Sequence, residues 1–457
     1  MAQEVIRRLT QANFTDGVAQ PGSADFDHRR RIWNAVVDRH PAAIVRPTTT
    51  DEVAAAVRVA AESDVLLSVR CGGHSFPGHS TCDGGLVLEL AAINHVTVDP
   101  ATRRSIVGGG ALLGDVDRAT MPHGLVVPAG VVSHTGAGGL TLGGGMGWLS
   151  RLHGLTIDSL VGVDIVTADG TRLRASAESE PDLFWALRGG GGNFGVVVAF
   201  EFQARDLGPV AAGKWAYPLA DLHHTMVGAA ELAVAAPREL TISFSATRGG
   251  LALSALWSGV SERADAVLAP FGRLTASAVG GHGPVSFLDH QRRVDEHFAW
   301  GRRYYAKGGF VCDLDTAVVS SIADALAEGP TEHSEVYVTQ LGGAVADVDE
   351  DATAYSGREA LFYWVIEPVW DDPADDARCL EWGRQHARRL AAHSMDTNYV
   401  NEQADTDGDF PEQAYGSAKY ERLREIKARY DPSNLFRLNP NIEPASTPAR
   451  AAPPERA

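Results

Sequence analysis

Cysteine is scarce in this chain: four in 457 residues, at Cys71, Cys82, Cys312 and Cys379. That is too few for the disulfide framework of small secreted domains, so the expectation is a reducing, cytosolic setting. Positive charge is also in deficit. The 40 Lys and Arg stand against 58 Asp and Glu, a formal net charge of −18. No basic run supplies the concentrated cations that a phosphate backbone requires, which argues against a nucleic-acid partner. No apolar run approaches the ~20 residues of a membrane span. The opening MAQEVIRRLTQANF reads as an amphipathic helix without the apolar centre of a secretory signal. No GxxxxGK[ST] occurs, which excludes a P-loop, and there is no internal repeat.

What the chain has in excess is glycine, 48 of 457 residues with the clusters lying between Gly72 and Gly195, against a usual share of ~7%. The length exceeds what one core sustains and predicts two domains. AAIVRP, TTTDEVAAAVRVAAES and VLLSVR read as strand, capped helix and strand, leading into RCGGHSFPGHSTCDGG (70–85) and then the strand LVLELAAI. Further glycine clusters are VGGGALLG, GAGGLTLGGGMG and RGGGGNFG. VGVDIVTADGTRLRAS reads as two strands joined at Asp169-Gly170. From about residue 207 the clusters stop, and KWAYPL, ELTISFSAT and LALSALWSG alternate like an antiparallel sheet, with helices between. The expected organisation is 1–206, 207–395, a C-terminal segment 396–444 and a disordered tail 445–457.

The loop 70–85 holds Cys71, His74, His79 and Cys82, all competent zinc ligands. Zinc motifs, however, staple small domains without a core, and this loop lies between two core strands. A tight surface turn with incidental Cys and His is a comparable reading of the loop alone. Glycine-rich turns present successive backbone N–H groups to anions, and several of them in one domain point to a long ligand with a diphosphate. Gly190-x-Gly192-x-x-Gly195 is the one GxGxxG. A helix precedes it and a strand follows, the inverse of a dinucleotide fingerprint, so a Rossmann site is rejected.

VRCGGHSFPGHS, PAGVVSHTGAGGLTLGGGMGWLSRLHGLTIDSL, DLFWALRGGGGNFGVV and YERLREIKARYDPSNLFRLNPNI, in this order, resemble the FAD-linked oxidases of the berberine-bridge-enzyme type. These belong to the vanillyl-alcohol-oxidase/p-cresol-methylhydroxylase flavoprotein fold. The resemblance covers nearly the whole chain. It implies an α+β fold: an FAD-binding domain of two subdomains and a substrate domain built on an antiparallel sheet. It implies a bond from His74 to the 8α-methyl of FAD. It places Arg70, Cys71, Gly72, Gly73, Ser75, Gly78, His79 and Ser80 along the cofactor, with Cys71 and Cys82 as packing residues. Further FAD contacts fall at Thr135, Gly136, Gly138, Gly139, Gly143, Gly147, Val163, Gly191, Gly195, Val197, Asn439 and Asn441. Many relatives add a cysteine tether to the flavin. Val132 occupies that place here, so a single bond through His74 is expected, as in a bacterial subset of sugar, amine and polyketide-tailoring oxidases.

A histidyl-linked flavin favours hydride abstraction beside an oxygen or nitrogen and reoxidation by dioxygen, while the protein supplies positioning and a base. Plant relatives use a glutamate on a substrate-domain strand. In REALFYWVIEPVW, Trp364 falls nearest that position. Tyr337, Tyr363 and Tyr399 are alternative acids or bases, although each is more readily a wall aromatic. Trp148 is a candidate pocket wall, and Asn401 and Asn441 are candidate hydrogen-bond donors to substrate or flavin. Strands offering Trp and Tyr more than charged groups lean the expectation towards a secondary-metabolite substrate over a free sugar. The rival readings are a flavin oxygenase, a drug-resistance protein that binds or reoxidises a reduced quinone, and a zinc scaffold. Small-molecule substrate and O2 are the expected partners, in a monomer or homodimer.

Overall fold

The computed structural model describes residues 2–12, 14 and 17–446. Near the N-terminus, helix Thr50–Ser63 begins at Thr49, whose hydroxyl accepts the Glu52 N–H, and stops at Asp64 in the left-handed conformation. Strands Ala43–Val45 and Leu67–Arg70 flank Leu86–Glu89 and run parallel to it. The short strand Val18–Ala19 adds antiparallel to the first of these, completing four strands. The apolar face of the helix closes over this sheet.

A second, antiparallel sheet has five strands in the order Val96–Asp99, Arg104–Gly108, Val196–Gln203, Leu160–Val166, Arg172–Ser176. Its Asp169-Gly170 turn forms because Asp169 accepts from Thr167 and Thr171 while Gly170 takes φ +80°. Helix Pro181–Leu187 precedes the last glycine cluster and strand Val196–Gln203 follows it, the inverted context read from the sequence.

The third sheet has seven strands, all antiparallel. Their order is Val279–Val285, Val210–Tyr217, Gly250–Trp257, Leu240–Thr247, Glu335–Gln340, Phe362–Glu367, Lys307–Val311. Side chains alternate between its faces. Ile242, Phe244, Val336, Val338, Phe362, Trp364 and Ile366 point to helices Leu222–Ala235, Thr316–Ala327 and Asp376–Ala391 and form the largest core. The opposite face is left for the site. Sheets with helices packed on them make this an α+β architecture, as predicted.

Helix Ser417–Tyr430 brings the C-terminus back to the first half of the chain. Its Lys427 and, just past the helix end, Asp431 are both fully buried and pair at 2.7 Å, and the ammonium also donates to the Asn193 and Phe436 carbonyls. Asp431 accepts the Leu435 and Phe436 N–H groups. Ala445 donates to the Arg424 carbonyl at 3.0 Å, so the start of the expected tail is held; 447–457 lie outside the described residues. Removing one partner of a buried pair strands the other's charge. Lys427→Met should lower the unfolding free energy by about 3–5 kcal/mol, read as a shift of the urea midpoint. An unchanged midpoint would mean that the pair contributes nothing.

Candidate active site

The loops that leave the first two sheets meet over one cavity of about 470 Å³. The loop after Leu67–Arg70 and the segment before helix Ala137–Gly143 touch backbone to backbone. A Cβ on Gly72 would lie 2.2 Å from the Gly136 nitrogen, and one on Gly136 would lie 2.3 Å from the Gly72 nitrogen. Gly191, Gly192 and Gly195 form another wall, and Phe436, Leu438, Asn439 and Pro440 a further one. His74 reaches the cavity with its ring stacked on Trp33 at 4.6 Å and Nε2 2.7 Å from Nδ1 of His134. Burial first, then the neighbouring His134, holds the His74 pKa well below that of a free imidazole. His79 is likewise neutral, its pKa pushed down to about 4 by burial and then Arg39; its Nε2 meets the Thr406 hydroxyl at 3.0 Å.

Beyond these loops the cavity is closed by the free face of the seven-stranded sheet. Ser243, Ser245, Ser254 and Thr339 present hydroxyls there, beside Lys214, Arg293, His297, Glu335, Tyr337, Val365 and Glu367. Glu335 and Glu367 stand directly opposite on paired strands. Glu335 accepts from Ser245 and lies 3.1 Å from His297 Nε2. Glu367 is pushed well above the carboxylate range by burial, then by Glu335 and Glu402, and its Oε1 has no partner. Glu402, on the returning C-terminal segment, also lines the cavity, and burial raises its pKa to about 7. Beside it, the Tyr399 hydroxyl accepts from the Gly145 N–H at 3.1 Å and the Asn401 amide at 2.9 Å. Its own proton is left to donate.

The zinc reading finds no site: no group of three or more His, Cys, Asp or Glu able to hold a metal exists among the described residues. Cys71 faces the Ala111 carbonyl, and Cys82 packs with Phe26 and Ile44. The cavity instead suits an elongated ligand with its own anionic centre. Its loop walls are glycine backbone and neutral imidazoles. Ser80 Oγ, buried in that wall, has no partner, and Gly139 faces open space where a side chain would stand.

Residues 41–176 match the family model for an FAD binding domain, and 398–443 the model described as berberine and berberine like. An FAD-linked oxidoreductase of Dictyostelium discoideum is 31% identical over 93% of this chain and 94% of its own. The chain belongs to the berberine-like FAD-linked oxidoreductases. The (R)-6-hydroxynicotine oxidase of Paenarthrobacter nicotinovorans is 38% identical to this oxidoreductase over 42% of each chain. Glucooligosaccharide oxidase from Acremonium strictum, solved with a 6-S-cysteinyl, 8α-N1-histidyl FAD, superposes with a TM-score of 0.89. It is 24% identical, and the match covers 97% of this chain and all of that one.

Most of the expected FAD residues line the cavity of this FAD-linked enzyme: Cys71, Gly72, Gly73, His74, Ser75, His79, Ser80, Val132, Thr135, Gly136, Gly138, Gly139, Gly147, Gly191, Gly195, Val197 and Asn439. Five do not, and four of them have another task. Arg70 braces the loop from behind, donating to the Ser80 and Arg29 carbonyls. Gly78 packs on Val37, and Gly143 on the Asn401 amide. Val163 is wholly buried in the core of the second sheet. Asn441 lies outside the cavity, its Oδ1 buried and unpartnered.

Among the catalytic and substrate candidates, Tyr337, Tyr399, Asn401 and Trp148 line the cavity. Trp364 does not. It points to the helices, its indole N–H donating to Ser394 at 2.9 Å. Tyr363 lies behind Tyr399, edge-on at 5.8 Å, and its hydroxyl accepts from Gln403. Sequence reasoning missed Glu335, Glu367, Glu402, Arg293, His297 and Lys214, so the sheet face is charged and hydroxylic where Trp and Tyr were expected. The available signal was strand period: Glu367 lies on the face opposite Trp364.

Among the described residues no helix is long and apolar enough to cross a membrane. Gly139→Phe should abolish FAD binding, read as loss of flavin absorbance, while the thermal midpoint of the flavin-free chain stays unchanged. Retained flavin would place the cofactor elsewhere.

Proposed function

We propose that this FAD-linked oxidoreductase is an oxidase. It would take hydride from a C–H bond beside a hydroxyl or amine of a polar substrate, hold its FAD by a single bond through His74, and reduce dioxygen to hydrogen peroxide. The observation that carries the reading is Glu402, a carboxylate lining the cavity whose pKa is raised to about 7 by loss of solvent. A general base is most effective when its pKa lies near the working pH.

Bound FAD would supply the hydride acceptor, and the chain does the rest. The hydroxyls of Ser243, Ser245 and Thr339 and the carboxyls of Glu335 and Glu367 orient a substrate rich in hydrogen-bonding groups. Tyr399 donates its proton to a substrate oxygen or nitrogen. Ionised Glu402 removes the hydroxyl or ammonium proton as hydride leaves the adjacent carbon. Burial between the sheet and the loops strengthens each of these interactions by excluding water. Val132, apolar and in the wall, has no thiol to offer the flavin, which supports a single tether. The charged and hydroxylic face supports a sugar-like alcohol or an amine over an apolar polyketide, the classes named for the oligosaccharide and hydroxynicotine oxidase relatives.

The rate should rise with pH through a midpoint near 7, because the base works only when deprotonated. Glu402→Gln should remove that limb and lower kcat by about 10²–10⁴-fold. A limb unchanged in the variant would assign the base elsewhere. With glucooligosaccharides, simple alcohols and amines as trial substrates, an oxygen electrode and a peroxide assay should report one peroxide for each oxygen consumed. Oxygen uptake without peroxide would make the protein an oxygenase.

A further inference from the structure

His74 is held more tightly than a cofactor contact needs. Its ring lies 13° from parallel with Trp33. Trp33 is stacked in turn on Tyr304 at 3.9 Å and 14°, and its indole N–H donates to the Phe298 carbonyl at 2.7 Å. The imidazole is thereby confined to one plane. In that plane Nε2 meets Nδ1 of His134 at 2.7 Å, and Nδ1 stands 3.4 Å from the Thr135 hydroxyl. His134 is fixed as well. The N–H and hydroxyl of Ser133, just before it, bond to the two carboxylate oxygens of Asp295 at 2.8 and 2.5 Å.

Two ring nitrogens 2.7 Å apart share one proton, and the hydrogen bond at one nitrogen decides what the other can do. Neutral His74 carries a single N–H. With that proton on Nε2 and directed at His134, Nδ1 keeps its lone pair, met among the described residues only by a long, weak contact with the Thr135 hydroxyl at 3.4 Å. The opposite tautomer would protonate Nδ1 and leave it unable to attack.

We propose that His134 is the positioning base for attaching FAD to His74: it holds the His74 proton on Nε2, leaves Nδ1 to form the bond, and accepts the Nε2 proton as that bond forms. The inference rests on the His74 linkage proposed above. Nδ1 of His74 bonds to the 8α carbon, and one C–H bond of that methyl breaks. The methyl proton is released, and the ring system is reduced by two electrons. The Nε2 proton passes to His134 and on to solvent. Dioxygen then takes the two electrons with two protons as hydrogen peroxide, and the oxidised, linked flavin remains.

The test uses the full chain, prepared flavin-free from a riboflavin-starved host and mixed with FAD. Bound flavin is read by absorbance. Attached flavin is read by intact mass and by fluorescence of the denatured polypeptide. The wild type should bind and attach, and His74→Ala should attach none. His134→Ala should bind FAD but attach it about 10²-fold more slowly, with part of the rate restored by imidazole in the buffer. His134→Asn, whose amide oxygen accepts the Nε2–H without taking its proton, should also stay slow. Attachment by His134→Ala at the wild-type rate would overturn the role of His134 and leave His74 untouched. If His134→Ala fails to bind FAD, His134→Asn decides: the wild-type rate overturns the role and a slow rate supports it. A wild type that binds FAD and never bonds it overturns the linkage and this role together.

Discussion

Everything at the site depends on two backbones lying closer than any side chain permits. Residues 72 and 136 stand so near that a Cβ on either would fall 2.2–2.3 Å from the other's nitrogen. This contact joins a loop of the parallel sheet to one that begins the helix Ala137–Gly143. Through it His74 is brought to His134, and the glycine walls close on one space instead of two. A methyl group there would separate the sheets and with them the histidine pair. The glycine excess of the chain is thus spent on approach between elements as much as on turns.

The electrostatics of the two ends of the cavity differ. At the loop end the imidazoles of His74 and His79 are kept neutral by burial. At the sheet end are acids crowded together: Glu402 acts on Glu367, Tyr337 and Tyr399, and Glu335 acts on Glu367. Like charges in a poorly solvated space cannot all ionise, so this end holds protons at neutral pH. One end offers backbone N–H groups and lone pairs, and the other offers hydrogen-bond donors and a base. A cofactor with a substrate laid against it needs that division.

The loop end was legible in the sequence and the sheet end was not. The motifs around His74, Gly136 and Gly191 are contiguous, so their chemistry shows before any pairing is known. Residues of the sheet face are two apart within a strand and come together only through partners scores of residues away. Glu335 and Glu367 are neighbours because Glu335–Gln340 pairs with Phe362–Glu367, which no local pattern states. Trp364 was misplaced by the same cause, since a shift of one residue turns a side chain to the other face. Val163 points to the core side of its strand, opposite the exposed Asp164, and so away from the cavity. Glu402 carried no motif, and only its burial in the cavity marks it.

The aromatic stack behind His74 has a consequence for maturation. Trp33 comes from the start of the chain, while Tyr304 and the Phe298 carbonyl come from beyond its midpoint, and Asp295, which fixes the loop of His134, lies beside them. The His74 ring is therefore aligned from both halves of the polypeptide. A chain emerging from the ribosome has the glycine loops long before it has the residues that orient the imidazole. The bond proposed for His74 would, on this geometry, form late, in a chain with both halves docked, and would record the assembly of the whole molecule.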